Sequence, residues 1–211
     1  MKECLIMTTS SLKPSATKRG RPGYDQESVL SIAVEVFNKH GYDATSMGKL
    51  AENLGISKSA IYHHVPSKGD LLRLALDEAL VPLEAIALDE QATIGTAEER
   101  LKFFLRSTIK VLVKRQQYVT LLLRLRGNTE IERDALERRR AVDRKVSELV
   151  IAAQQEGSLR SDIDPRTTTR LLFGTINSLV EWFREDGNVT LEQVEEHAIT
   201  MMFDGLHKRG E

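Results

Sequence analysis

The fold is decided by residues 46–65, which read SMGKLAENLGISKSAIYHHV. Ala51 is small where two short helices would cross closely, and Ile61 can lock the helices together. Gly55 supplies the backbone freedom that a tight turn needs, and Ser57 can cap the second helix. The stretch therefore predicts a helix-turn-helix, whose second helix enters the major groove of DNA. The alternative is a plain helical hairpin without a DNA role.

The second helix of this unit carries side chains that suit DNA. Lys58 can donate to phosphate or guanine, and Ser59 can both donate and accept a hydrogen bond. Tyr62, His63 and His64 offer a hydroxyl and two imidazoles that can reach phosphates or base edges. The alternative for either histidine is a surface position without a DNA role. Because adjacent side chains project about 100° apart on a helix, the two histidines make a poor metal site, and no metal is expected.

A basic segment precedes the first predicted helix. Residues 18–22 read KRGRP, and Arg-Gly-Arg-Pro is the core of the AT-hook, in which arginines lie along narrow A·T-rich minor grooves. Proline holds such a segment extended. We therefore expect Lys18, Arg19 and Arg21 to contact DNA from a flexible arm over residues 1–23. The alternative is a solvated basic tail.

The overall composition describes a globular chain with little net charge. Of its 211 residues, 41% are hydrophobic and 29% are charged, and the net charge is -1. Residues 1–70 hold nine basic and seven acidic side chains, against 21 and 24 in the remainder, so the predicted DNA-binding end is slightly basic. The apolar runs are too short for a membrane span. A single cysteine, Cys4, excludes an internal disulfide, and a cytoplasmic protein is expected.

Helix signals dominate after residue 24. Ser67, Thr96, Thr129 and Thr190 each begin a pattern that resembles a capping box, whereas sustained period-two alternation is missing. Pro82 is expected to bend or interrupt its helix. The sequence therefore predicts an all-α fold of about nine helices. A three-helix helix-turn-helix domain is expected over residues 24–70, followed by a helical domain over 71–211.

The last two long helices, predicted at about 165–186 and 190–207, are apolar over much of their circumference. Leu171, Trp182 and Met201 lie among their apolar residues. A helix with two apolar faces must bury both. One face can cover the core of its own chain, and the other is most simply covered by a second copy, so a homodimer is expected.

From Asp25 to about Leu80 the chain resembles the TetR family of bacterial transcription regulators. The resemblance rests on HGYDATS at 40–46, LAENLGISKSAIYHHV at 50–65 and SKGDLL at 67–72. Val65 departs from the usual phenylalanine, and Gly69-Asp70 from the glutamate that often follows the lysine. The resemblance implies that Thr45, Ser46 and Lys68 contact phosphates of the DNA backbone. It also implies that DNA is contacted from the recognition helix by Lys58, Ser59, Ala60, Tyr62, His63 and His64.

The same resemblance implies a C-terminal domain that binds a small-molecule effector and dimerises through its last two long helices. Such a pocket lies between helices and combines apolar walls with a few polar anchors. The candidate residues are Phe103, Phe104, Ser107, Leu122, Arg126, Phe173, Asn177 and Trp182; the alternative for the apolar ones is plain core.

Residues 122–126 and 137–145 are rich in arginine and somewhat resemble the C-terminal halves of regulators of lipid and aromatic-acid catabolism. The effectors of those regulators are often CoA thioesters, whose phosphates arginines can bind. The alternative is a solvated helix face with ion pairs four residues apart.

The sequence thus predicts a repressor that a small molecule releases from a palindromic double-stranded operator by a population shift. The partners expected are DNA, the effector and a second copy, with no membrane and no cofactor. Two alternatives remain at this stage. One is a DNA-binding regulator controlled by a protein partner; the other is an all-helical enzyme, for which no phosphate loop, HExxH or G-x-S-x-G motif is present.

Overall fold

The computed structural model describes residues 25–205, which form ten α-helices, one short 3-10 turn at Glu90–Ala92 and no strand. The predicted all-α class is confirmed. The helices are α1 Gln26–His40, α2 Met47–Leu54, α3 Lys58–His64, α4 Lys68–Ile86, α5 Ala97–Lys114, α6 Gln116–Leu123, α7 Glu130–Gln155, α8 Pro165–Asn177, α9 Leu179–Trp182 and α10 Leu191–Asp204.

The helix predicted over 165–186 is broken at Ser178 and ends at Trp182. The Ser178 hydroxyl donates to the Thr175 carbonyl at 2.7 Å, and such local side-chain bonds compete with the helical pattern. By contrast, α4 continues through Pro82 to Ile86, so the expected interruption there does not occur. Proline removes one helical hydrogen bond, that of its own missing amide, and the rest of α4 persists without it.

Side-chain caps fix the helix starts as the sequence indicates. The Asp25 carboxylate accepts from the Ser28 amide at 2.8 Å and starts α1. Complete capping boxes form at Thr96 and Thr190. Ser67 caps α4 but donates its hydroxyl to the Asp70 carboxylate at 2.6 Å. Each cap satisfies an amide that the first turn leaves without a helical partner.

Thr129 caps α7, but its expected capping box is not completed. The buried Glu132 carboxylate instead accepts from the backbone amides of Arg126, Gly127 and Asn128, at 3.3, 2.8 and 3.0 Å. Three amide donors compensate a carboxylate that is only 3% exposed. Glu132 therefore fixes the turn between α6 and α7.

One continuous apolar core runs through both predicted domains, and α4 is the main connection. It packs against α1 on one side and against α5, α6 and α7 on the other. Its Leu71, Leu72, Ala75 and Leu80 are fully buried. The boundary expected between residues 70 and 71 therefore falls within the first turn of a helix that both domains share.

A second connection runs through α6, which packs against α1. The Asn38 side-chain amide donates to the Gln117 carbonyl at 2.9 Å, and the Arg124 guanidinium donates to the Asn38 carbonyl at 2.7 Å. Beyond α6, the side-chain amide of Asn128 donates to the Asp43 carboxylate at 2.8 Å. These bonds attach the α1 end of the N-terminal domain to the helices that follow it.

No helix within residues 25–205 has the length and apolar character needed to cross a bilayer.

Candidate DNA-reading surface and effector cleft

The turn between α2 and α3 has the geometry of a helix-turn-helix. Gly55 adopts φ 64 and ψ 29, in the left-handed region, and its amide bonds to the Ala51 and Glu52 carbonyls. The Ser57 hydroxyl then caps α3 by accepting from the Ala60 amide at 3.1 Å. Ile61 is fully buried between the helices, so α3 is held rigidly on α2.

The opposite side of α3 faces solvent. Lys58, Ser59, Tyr62 and His63 are exposed, with Tyr62 at 48%. Their side chains make no hydrogen bond or ion pair within the part of the chain that the structure describes. Ala60 is half-buried at the same helix surface, and so is His64. All six predicted recognition-helix residues therefore lie on one short helix, and its polar side chains remain available for DNA.

Ser46 and Thr45 differ sharply although they are adjacent. Ser46 is exposed and caps α2 by accepting from the Lys49 amide at 3.2 Å, so its hydroxyl hydrogen can still be donated to a phosphate. Thr45 is 1% exposed, and its hydroxyl donates to the Gly41 carbonyl at 2.8 Å. The expected phosphate contact of the Thr45 side chain is therefore corrected: this side chain stabilises the turn that precedes α2.

Lys68 has a structural partner within the N-terminal domain. Its ammonium donates to the Tyr42 carbonyl at 3.0 Å and lies 4.1 Å from the centre of the Tyr42 ring. An ammonium has three donors, so others are left for a phosphate. Lys18, Arg19 and Arg21, the predicted minor-groove contacts, lie outside the described residues.

A cleft of about 590 Å³ opens between α7 and α8. Five arginines line it: Arg139, Arg140 and Arg144 from α7, and Arg166 and Arg170 from α8. Sequence reasoning singled out the α7 arginines but missed those of α8, because only the fold brings the two helices together.

The arginines of this cleft differ in their partners. Arg140 and Arg144 pair with Glu137 at 3.3 and 3.0 Å, as the alternative of a solvated helix face expects. The side chains of Arg139, Arg166 and Arg170 make no ion pair or hydrogen bond among residues 25–205. These guanidinium groups give the cleft a positive charge that can bind an anionic ligand.

A smaller and more apolar pocket, of about 30 Å³, continues inward from this cleft. Leu83, Thr108, Leu112, Val119, Leu122, Leu123 and Val142 form its walls, contributed by α4, α5, α6 and α7. Arg139, Asp143, Phe173 and Asn177 line both the cleft and the pocket. We call these four residues the neck.

The structure brings together three of the eight predicted effector-binding residues: Leu122, Phe173 and Asn177 line the inner pocket. Phe103 and Ser107 lie on α5 and line neither the cleft nor the pocket. Three further positions lie in other surroundings: Phe104 is fully buried in the core, Trp182 is 54% exposed, and Arg126 lines a separate cleft beside the turn between α1 and α2.

Asp143 is the one acidic residue that lines the neck. Burial raises the pKa of its carboxyl group, although the nearby charges of Arg139, Arg144 and Arg170 act in the opposite direction. Its carboxylate makes no hydrogen bond and no ion pair within 4.0 Å in the described chain. The Asn177 side-chain amide likewise makes no hydrogen bond there, so the neck contains polar groups without protein partners.

Comparison with known proteins identifies both halves of this arrangement. Residues 29–75 match the family model "Bacterial regulatory proteins, tetR family", and residues 95–206 match "Tetracyclin repressor-like, C-terminal domain". The second match alone covers more than half of the chain. This protein belongs to the TetR family. It is a DNA-binding transcriptional regulator, and its helix-turn-helix is the DNA-binding unit.

Relatives extend over almost the whole of this TetR-family chain. The transcriptional repressor KstR2 of Rhodococcus jostii (strain RHA1) is 30% identical, over 92% of this chain and 96% of its own length. A TetR-family regulator from Streptomyces coelicolor A3 is 49% identical, with a TM-score of 0.80 over 85% of this chain and 91% of that one. AibR, solved with isovaleryl coenzyme A and operator DNA, is 25% identical, with a TM-score of 0.70 over 84% and 97%.

Proposed function

We propose that this TetR-family protein is a homodimeric repressor that a CoA thioester releases from a palindromic operator. The observation that carries the effector assignment is the cleft of arginines that leads, through the neck, into an apolar pocket. A CoA thioester matches this arrangement, because it carries anionic phosphates at one end and an apolar acyl group at the other. AibR, a similar protein, was solved with such a molecule.

Operator binding is proposed to use the exposed side of α3 for base edges and phosphates. The residues are Lys58, Ser59, Ala60, Tyr62, His63 and His64, with Ser46 and Lys68 on backbone phosphates and Lys18, Arg19 and Arg21 in the minor groove. Base contacts supply sequence discrimination, and phosphate contacts supply affinity and register.

A second copy is proposed to cover the exposed apolar face of α8, α9 and α10. Leu171 is 64% exposed, Trp182 54% and Met201 64%. Leaving such side chains in water is unfavourable, and a two-fold dimer would present two α3 helices to the two halves of a palindrome.

Release is proposed to work by population shift. The effector must bind best to a conformation in which the two α3 helices are wrongly spaced for DNA, and DNA must weaken effector binding by the same factor. Two helices can carry the change, because α4 and α6 both line the inner pocket and both pack against α1.

The DNA assignment is tested with Lys58→Ala and Tyr62→Ala in the full-length chain, using operator titrations at several salt concentrations. We expect each variant to lose at least tenfold in affinity, and removal of the Lys58 ammonium from a phosphate to reduce the salt slope by about one. The control is Lys114→Ala, which removes an exposed lysine at the end of α5. Wild-type affinity in both test variants would contradict the proposed set of DNA-binding residues.

The effector assignment is tested with acetyl-CoA, butanoyl-CoA and hexanoyl-CoA, measuring thermal stabilisation and operator release. We expect at least one thioester to do both, and Arg139→Ala with Arg170→Ala to weaken binding at least tenfold, because two unpaired cations are removed. Arg115→Ala, outside the cleft, is the control. If no thioester stabilises the protein, the effector class is wrong and control by a protein partner is favoured.

A further inference from the structure

The neck places an acidic side chain where a cationic cleft narrows into an apolar pocket. Asp143 lies one helical turn after Arg139 on α7, and Phe173 and Asn177 line the same passage from α8. An acid at this point opposes the attraction of the arginines for an anionic ligand. Its presence therefore calls for a role other than binding phosphate.

Asp143 is not explained as the ion-pair partner of an arginine. Arg139, four residues earlier on α7, and Arg170 on α8 contribute charge nearby, yet no guanidinium nitrogen comes within 4.0 Å of the carboxylate in the described chain. Arg144 makes its contact with Glu137 instead, at 3.0 Å. The carboxylate is partly buried, so any ligand that fills the neck would remove its remaining water.

A carboxylate that loses its water needs a hydrogen-bond donor. A CoA thioester supplies one close to the acyl group. With the acyl group in the inner pocket and the phosphates among the arginines, the sulfur lies near the neck. The amide of the cysteamine unit follows two methylene groups beyond the sulfur and carries an N–H. The neighbouring Asn177 side chain can donate to, or accept from, the rest of the same amide.

We propose that Asp143 is a specificity residue, which accepts a hydrogen bond from the cysteamine amide N–H of a CoA thioester held in the neck. This inference rests on the proposed effector class and adds what the site recognises within it. Asp143 then makes the site reject apolar anions, such as free fatty acids, that reach the arginines but bring no donor to the neck. A site built for a hydrogen bond discriminates strongly, because a ligand without the donor leaves a buried polar group unpaired.

The test compares butanoyl-CoA with an analogue that is N-methylated at the cysteamine amide, using full-length protein and calorimetric titration. We expect wild type to bind the N–H form at least tenfold more tightly. In Asp143→Leu the preference should fall below threefold, and in Asp143→Asn, which keeps an acceptor oxygen but loses the charge, it should lie between. Glu148→Leu, an acidic-to-apolar change on α7 outside the cleft, is the matched control.

The outcomes separate the role of Asp143 from the effector class. Equal binding of both thioesters by wild type would overturn the role of Asp143 while leaving the effector class intact. A wild-type preference that persists in Asp143→Leu would show that the methyl group is rejected sterically, and would also overturn it. Binding of neither thioester by wild type would overturn the effector class and this inference together. Unchanged operator affinity of each ligand-free variant checks that it is folded.

Discussion

Gly55 determines the turn between α2 and α3 through its backbone conformation alone. At φ 64 it lies in the left-handed region, and a Cβ added there would meet nothing within 4 Å. We therefore expect Gly55→Ala to lower the free energy of unfolding by roughly 1–2 kcal/mol, since only the backbone conformation is penalised. Urea unfolding at a fixed protein concentration measures the change.

The matched control is Gly48→Ala in the adjoining helix α2. A Cβ at Gly48 would meet the Ser46 hydroxyl oxygen only at 3.5 Å, an ordinary contact, and its φ is normal for a helix. Alanine there should raise stability by about 0.5–1 kcal/mol. If both variants change stability in the same direction and by the same amount, the prediction of backbone strain for alanine at position 55 is wrong.

Thr45 and Ser46 show what the local sequence cannot predict about single residues, namely which of two adjacent hydroxyls is buried. Thr45 and Ser46 both suit the start of α2, and the motif places both next to DNA. The chain direction before α2 decides which hydroxyl faces inward, and it buries Thr45 against the Gly41 carbonyl. Local pattern could not supply that direction, because it depends on how α1 enters the turn.

Two elements are joined by one side chain, Arg138 of α7, which reaches two acids of α4. Its guanidinium contacts Glu84 at 2.8 and 2.9 Å and Asp77 at 2.6 Å. This bond lowers the pKa of the Glu84 carboxyl group. The next residue, Arg139, lines the cleft between α7 and α8, so the link between α4 and α7 lies immediately beside the proposed effector site.

Arg138→Gln should lower the free energy of unfolding at pH 7 by about 1 kcal/mol, a modest value because the acidic partners are more than a third exposed. Since the folded pKa of Glu84 lies below its usual 4.5, this contribution is present above pH 4.5 and lost as the pH falls through the folded pKa. The stability gap from wild type should therefore shrink below about pH 4. Denaturant unfolding at pH 7 and at about pH 3 measures it.

Arg140→Gln is the control for the same charge change, because within residues 25–205 Arg140 pairs only with Glu137 on its own helix. It should cost no more than a few tenths of a kcal/mol. A pH-independent gap for Arg138→Gln would contradict the role assigned to Glu84.

At the scale of elements, the sequence predicts most helix starts and few of the contacts between helices. Caps such as Ser67, Thr96 and Thr190 act within four residues, so they can be read locally, and the structure confirms them. Glu132 fits the local box pattern, yet it binds the preceding turn instead. Arg166 and Arg170 reach the cleft only because α8 packs on α7, which periodicity along one helix does not reveal.

For the whole molecule, the proposed dimer depends on the apolar face of α8–α10. Leu171→Asp combined with Met201→Asp should give monomers in analytical ultracentrifugation, because carboxylates would be buried at the interface. Operator affinity should fall at least tenfold, since two half-sites are no longer bound together. Leu88→Asp changes an apolar side chain that is 86% exposed outside these helices and should leave the mass unchanged. A dimeric double variant would mean that another face is used.

The proposed DNA-binding role of residues 1–21 also belongs to the scale of the whole molecule, because the total charge of -1 conceals their basic side chains. Deletion of residues 1–21 should weaken operator binding and lower the salt slope by about 0.9 for each phosphate that the arm neutralises in the complex. Operator titrations from low to physiological salt measure both. Unchanged affinity across the series would contradict a role of the arm in DNA binding.

The position of α6 has a practical consequence for anyone converting this protein into a biosensor. Its Leu122 and Leu123 form a wall of the inner pocket, while Gln117 and Arg124 of the same region hold α1. Substitutions that reshape this wall for a new ligand are expected also to change the signal measured without ligand. The reason is that α6 is attached to α1 of the DNA-binding domain, so a shift of α6 would alter operator affinity. Libraries should therefore diversify the α8 side of the proposed site, where Phe173 and Asn177 line the pocket away from that attachment.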